Sequence, residues 1–187
     1  MLSRMRIAAT LLVALLLMAS IAVAQAPRRD PDVPFVPTTD EAVQAMLKLG
    51  GVKAGDVLYD LGCGDGRIVI AAAKLGARAV GIDINPERIK EARDNAKKAG
   101  VEDRVRFEEN DLFEANIREA NVVTLFLLSS VNLKLRPKLQ ADLRAGTRIV
   151  SNTFDMGDWK PDREETVPGT SESSYLSRRI FLWTIKK

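Results

Sequence analysis

The sequence contains no histidine and one cysteine, Cys63. An intramolecular disulfide is therefore impossible, and zinc sites built from histidine and cysteine are excluded. The same absence removes histidine general-base catalysis and the Ser-His-Asp and Cys-His nucleophilic schemes. No cluster of carboxylates demands a metal, so none is expected. A broad surplus of basic charge is missing too. The formal net charge of +3 rests largely on residues 1–24, which carry Arg4 and Arg6 and no acid; without them, 28 basic residues become 26 against 25 acidic ones. No wide electrostatic footprint for polyanions remains, and no nucleic-acid partner is expected.

A length of 187 residues suits one ordinary domain preceded by a short leader. The leader spans 1–24. Arg4 and Arg6 precede an apolar run over 7–24, and the small-residue sites Ala22-Val-Ala24 and Ala24-Gln-Ala26 follow. This is the pattern of a secretory signal peptide, with cleavage after Ala24, and it predicts an exported or periplasmic protein. The alternative is an uncleaved anchor, because the run just reaches the lower limit for a membrane span; residues 7–24 would then associate the protein with a membrane. Residues 25–37 read as a linker, since Pro27, Pro31, Pro34 and Pro37 account for four of the eight prolines. Proline removes backbone donors and restricts its predecessor, which favours an extended stretch.

From residue 38 to 187 the chain alternates. Thr38 or Thr39 can cap a helix carrying Ala42, Met46 and Leu49 at helical spacing, and Gly50 and Gly51 stop it. A short strand over 57–60 follows, then a helix over 67–75 with Ile68, Ala71, Ala72 and Leu75 facing inward. A second strand over 79–83 leads to a helix with Pro86 in its first turn and Gly100 at its end. Residues 105–109 alternate like an edge or near-edge strand. Residues 121–128 form an almost wholly apolar run after Asn121, interrupted by Thr124, as a central strand covered on both faces requires. Leu135, Leu139 and Leu143 mark a helix with Pro137 near its start, and 147–150 a fifth strand. Residues 165–167, the Pro168-Gly169 turn and 175–185 predict a closing antiparallel hairpin. The expected fold is α/β: a Rossmann-like, doubly wound, mostly parallel seven-stranded sheet with a C-terminal antiparallel hairpin. In such sheets the ligand crevice lies beyond the carboxyl ends of the strands, at the switch in strand order.

Glycines occur at that point. Gly62, Gly64 and Gly66 lie between the first strand and the second helix, where glycine lets the backbone turn tightly and approach a ligand. A tight strand-to-helix turn needs such glycines for structural reasons alone, so their neighbours discriminate. The spacing is G-x-G-x-G, with Arg67 where the dinucleotide pattern needs its last glycine. Asp60 ends the first strand; its carboxylate could accept from an ammonium but would repel a pyrophosphate. Asp83 ends the second strand, where a carboxylate can accept from both hydroxyls of a ribose. Asp111 follows the third and could accept from the exocyclic amine of adenine, although capping a turn is the commoner role of such an Asp.

In this arrangement the chain resembles the class I S-adenosylmethionine-dependent methyltransferases: DLGCGDG from Asp60, GIDINPERI from Gly81 and ENDLFEA from Glu109 correspond to their successive motifs. The resemblance implies S-adenosyl-L-methionine as cofactor and a methyltransferase activity (EC 2.1.1.-). It places Asp60, Gly62, Cys63, Gly64, Gly66, Asp83, Ile84, Asn110, Asp111 and Leu112 around the cofactor. Cys63 reads as small loop filler rather than a nucleophile. The competing readings are a non-catalytic module that binds the cofactor and an NAD-dependent reductase, the latter weakened by Asp60 and Arg67.

Narrower strings bear on the acceptor. Phe35-Val-Pro-Thr38, the glycine motif with its following helix, and Asp158-Trp-Lys-Pro-Asp162 are similar to the small membrane-associated protein-lysine methyltransferases. That resemblance implies a protein lysine as methyl acceptor, with a small molecule as the alternative, and brings Val36, Pro37 and Thr38 near the cofactor. The fourth strand lacks the Asn- or Asp-Pro-Pro-aromatic tetrad, which disfavours amino-methylation of adenine or glutamine. Asp155, Asp158 and Trp159 follow the fifth strand and are the candidates to line the acceptor channel; a turn around a half-buried tryptophan is their plain structural alternative. No residue is nominated as a general base.

Overall fold

In the computed structural model of the chain, which describes residues 33–167 and 178–186, the alternation becomes seven strands and four α-helices. The leader and most of the proline-rich stretch lie outside the described residues, as does the Pro168-Gly169 turn. Among the described residues no helix is long and apolar enough to cross a membrane.

Helix α1 (Asp40–Leu49) starts at Thr39, whose Oγ1 accepts from the Ala42 amide at 3.4 Å. Strand β1 (Val57–Leu61) feeds α2 (Arg67–Lys74), and β2 (Arg78–Asp83) feeds α3 (Pro86–Ala99). Helix α3 is capped by Asn85 with Pro86 in its first turn, and Gly100 closes it in the left-handed region. Strands β3 (Val105–Glu109) and β4 (Val122–Leu125) precede α4 (Ser129–Asp142). Strands β5 (Arg148–Asn152), β6 (Arg163–Val167) and β7 (Arg178–Thr184) complete the sheet.

The order is β3-β2-β1-β4-β5-β7-β6, with the first five parallel and β7 antiparallel to both β5 and β6. Order reverses between β1 and β4, which opens a crevice at their carboxyl ends. One face of the sheet packs Leu58, Ala79, Val122 and Val150 against α1, α2 and α3. The other packs Tyr59, Leu61, Leu125 and Ile149 against α4 and the 112–120 segment. Burial on both faces explains the almost wholly apolar character of β4.

Three local expectations need correction. Leu75 does not face inward: it is the cap of α2 and 46% exposed, while Val69, Ala72 and Ala73 take the buried face. Strand β4 stops at Leu125, and Phe126 and Leu127 leave the sheet to line the crevice. Helix α4 begins eight residues before Pro137, which sits inside it. The helix tolerates the ring because the carbonyl that loses its partner belongs to Leu133, and Leu133 and Pro137 are both on the exposed side.

Candidate functional site

The crevice between β1 and β4 is a cleft of about 960 Å³ with its open mouth included, within the range of small-molecule sites. Three walls come from the strand ends. Asp60 lies near the end of β1 with Gly62 and Cys63 just after it, Asp83 ends β2 with Ile84 after it, and Asn110, Asp111 and Leu112 follow β3. The fourth wall is the extended segment 33–38, so the end of the supposed linker is part of the site.

Asp60 is the electrostatic centre of the cleft. Its side chain is buried, accepts from Thr124 Oγ1 at 2.7 Å and has no cation beside it among the described residues. Burial pushes its carboxyl up to about 7; the Thr124 hydrogen bond opposes this, and the nearby Asp83 and Asp65 charges add to it. A buried carboxylate without a counter-charge is costly, and a ligand ammonium is the natural group to neutralise it.

Asp83 is held differently. Its Oδ2 accepts from the Gly64 amide and its Oδ1 from the Asn85 amide, each at 2.9 Å. An ionised carboxylate has about four acceptor positions, so two remain for a pair of hydroxyls. Asp111 lines the cleft and also accepts from the Phe113 amide at 2.9 Å, combining the turn-capping role with a cleft position.

The glycines divide their work. Gly62 lines the cleft, with φ +83 and its amide donating to the Ile82 carbonyl at 2.8 Å. Gly64, also expected around a cofactor, does not line the cleft; it has φ +52, and a β-carbon on it would stand 2.3 Å from the Phe35 ring, so it makes room for that wall. Gly66, although expected around a cofactor, does not line the cleft; a β-carbon there would meet Ala92 and the Phe107 ring at 2.9 Å, so it serves the close packing of α3 and β3. Cys63 is buried with its thiol pushed up by burial, and its sulfur occupies the space beside Gly81, as a filler does.

Several wall residues had no signal in the spacing. Arg67 pairs with Asp65 at 2.6 Å and donates from Nη1 to the Thr38 carbonyl at 2.6 Å, tying segment 33–38 to the glycine loop. Arg88 lies over the Phe35 ring at 4.8 Å. Phe126, Leu127 and Val131 form the side nearest β5.

The three acceptor-channel candidates are elsewhere. None of Asp155, Asp158 and Trp159 lines the cleft. After β5 the chain doubles back along the sheet, because Trp159 packs on Trp183 with ring centroids 6.0 Å apart and accepts from its Nε1 through its own carbonyl. Trp183 pairs with Ile149 near the amino end of β5, far along the strand from the cleft. Arg136 stacks over Trp159 and pairs with Asp158, and Asp155 Oδ1 caps the turn by accepting from the Gly157 amide. The half-buried tryptophan in a turn is what the structure contains.

The family described as the ANTKMT methyltransferase domain matches residues 60–163. A protein-lysine N-methyltransferase of Saccharolobus islandicus is 45% identical over 157 residues, 83% of this chain and 95% of that protein. The adenine nucleotide translocase lysine N-methyltransferase of Mus musculus is 39% identical over 130 residues; this chain spans 56% of its length. Among solved structures, one described as an RNA methyltransferase from Salinibacter ruber in complex with S-adenosyl-L-homocysteine superposes with a TM-score of 0.76 at 54% identity, covering 81% of this chain and 95% of that one.

Proposed function

The chain belongs to the ANTKMT methyltransferase domain family and is an S-adenosylmethionine-dependent methyltransferase; from that premise we propose that it N-methylates a lysine side chain of a protein. The observation that carries the acceptor is the 45% identity, over nearly the whole length of the relative, to a protein named for lysine methylation.

In this reading the buried Asp60 receives the ammonium of the methionine moiety, and its missing counter-charge is the fit between chain and cofactor. Asp83 accepts from the ribose hydroxyls through its two remaining positions. Ile84, Asn110, Asp111 and Leu112 surround the base, and Gly62 and Cys63 lie beside the methionine. Segment 33–38, including Pro37 and Thr38, covers the cleft while Arg67 and Arg88 hold it. When bound, the cofactor supplies a methyl group on a positively charged sulfonium, which leaves as a neutral thioether. What the chain must do is align a neutral amine and keep water out. No side chain of the cleft is assigned as a base; the ammonium loses its proton before attack.

Methyl-labelled cofactor added to an extract of cells from which this chain has been deleted tests the reading. The purified protein is expected to place label in protein, recovered as methyllysine after acid hydrolysis. Label in RNA, the acceptor named for the Salinibacter ruber structure, or in small molecules alone would replace lysine as the acceptor. The leader reading, 1–24 as a signal peptide ahead of a domain that starts at 38, stays part of the proposal. Sequencing the amino terminus of the mature protein tests it, with a start at Gln25 expected and an intact Met1 favouring the anchor.

A further inference from the structure

At the carboxyl end of β5 the backbone is strained. Thr153, a β-branched residue, has φ +68, a region such residues rarely enter. The Phe154 amide donates back to the Asn152 carbonyl at 2.8 Å, closing a three-residue γ-turn of the rare, strained hand around Thr153. Its surroundings hold it firmly. The Thr153 amide donates to the Arg179 carbonyl at 2.7 Å, and the Phe154 carbonyl accepts from Ser151 Oγ at 2.6 Å and Asn132 Nδ2 at 3.1 Å. Strain retained by this many contacts marks a functional position.

The turn fixes Asn152. That residue is fully buried, and its Nδ2 has no hydrogen-bond partner. An unsatisfied buried amide is a standing penalty, and ligand contact is a reason to keep one. Neither Asn152 nor Phe154 itself lines the cleft; Asn152 stands one residue past the last β4–β5 pair, Leu125 with Ser151, and so behind Phe126, which does line it. It lies on the same sheet face as Asp60 and Thr124, by the alternation along β4 and β5. Phe126 and Phe154 stack beside it with centroids 6.2 Å apart, and the Arg178 guanidinium sits 5.7 Å from the Phe126 ring.

We propose that the Asn152 side chain, held by the γ-turn at Thr153, receives the acceptor amine and orients it toward the cofactor cleft, with Phe126 and Phe154 flanking the lysine stem. This rests on the lysine reading given above. The chemistry suits an amide. Among the described residues its side-chain partner is the Thr153 hydroxyl, 3.0 Å from Oδ1, and a hydroxyl donates or accepts equally well. A half-turn of the amide therefore keeps that contact and presents Oδ1 where Nδ2 stood. An oxygen accepts from an amine N–H and leaves the nitrogen lone pair free to attack. In the transfer the N–CH₃ bond forms as the C–S bond breaks, and the bonding pair stays on sulfur. An uncharged acceptor avoids the penalty a carboxylate would impose by holding the amine as ammonium, and the nearby Arg178 charge favours the neutral amine as well.

The test measures three quantities on the full chain: turnover into methyllysine with the protein fraction of the deletion extract, the calorimetric Kd for S-adenosylmethionine, and Tm. Asn152→Ala is expected to lower turnover about 30- to 100-fold, in line with the loss of an oriented hydrogen bond, with the cofactor Kd within about twofold of wild type. Asn152→Asp is expected to recover part of that loss, with its pH–rate profile moved to higher pH because a carboxylate holds the amine protonated. Thr153→Gly, which suits the positive φ, is expected to keep or raise Tm while lowering turnover, and it serves where Asn152→Ala fails to fold. Turnover of Asn152→Ala within threefold of wild type, an unmoved pH profile for Asn152→Asp, or full turnover in Thr153→Gly would each overturn the proposal. Absence of methyllysine from the wild-type reaction would instead remove the lysine reading and this inference with it.

Discussion

The two ends of the sheet are built on opposite principles. At the amino ends of the strands, charged and polar groups are matched. Asp56 is buried but pairs with Arg148 at 2.8 Å, and Arg148 also donates to the Gly50 and Gly51 carbonyls. Tyr59 donates to Glu119 at 2.8 Å, and burial together with that hydrogen bond pushes its hydroxyl up to about 12; Arg78 pairs with the same glutamate. At the carboxyl ends, Asp60 is buried with no cation beside it among the described residues, Asn152 Nδ2 is unpartnered, and Thr153 is strained. One end is finished by folding alone. The other keeps a buried carboxyl, an unpartnered amide and a strained turn that folding alone would not favour, which is the expected division between a scaffold and the site it supports.

The contrast predicts that mutations at one end change stability without changing binding, and that mutations at the other do the reverse. The largest effect should come from Arg148→Ala. It leaves Asp56 buried without its partner, and thermal unfolding should show a loss of about 2–4 kcal/mol, or a Tm lower by roughly 5–10 °C. Calorimetry should find the S-adenosylmethionine affinity unchanged, and a matching loss of affinity would dissolve the distinction between the two ends. Asp60→Asn is the mirror experiment. The amide is nearly isosteric and keeps a hydrogen bond to Thr124, so Tm should hold or rise, while cofactor affinity falls roughly 10- to 100-fold through loss of the charge.

Acidity provides a subtler probe. Because the folded Asp60 carboxyl titrates near pH 7 and an unfolded one near 3.8, the folded protein binds the extra proton between those values. Its contribution to stability therefore declines as pH rises from about 4 to 7 and is flat above. An ammonium ligand requires the ionised form, so affinity should weaken about tenfold per pH unit below 7 and plateau above it. A titration series in wild type and Asp60→Asn checks both slopes, which should vanish in the variant. The smallest effect belongs to Asp158→Ala, whose side chain is 87% exposed and pairs with Arg136 at the surface. Neither Tm nor methyl transfer should move measurably; a drop in turnover would return Asp158 to the acceptor channel.

Asp60, Asp83 and Asp111 were legible in the sequence because each sits at or just past the carboxyl end of a strand, and in a parallel sheet the ends of successive strands converge at one edge. The residues that escaped depend on contacts across long separations. Arg67 reaches the Thr38 carbonyl 29 positions away, and no spacing rule encodes that. Phe126 was hidden in an apolar run that looked like strand throughout. Asn152 resembles any other residue at the end of a strand until its missing partner and the turn after it are seen. Trp159 was misplaced for the converse reason: its segment does leave the ligand edge of β5, but packing on Trp183 and Arg136 carries the ring away from it.

By itself, the sequence determined the alternation of strands and helices, the glycine turn and the acidic residues at the strand ends, because these follow from local pattern and chain connectivity. Only the tertiary structure decided which of them share a cleft, what covers it, and which polar groups lack partners. Those properties arise from the sum of all neighbours around a buried atom, and neighbours brought together by packing leave no periodic trace in the chain.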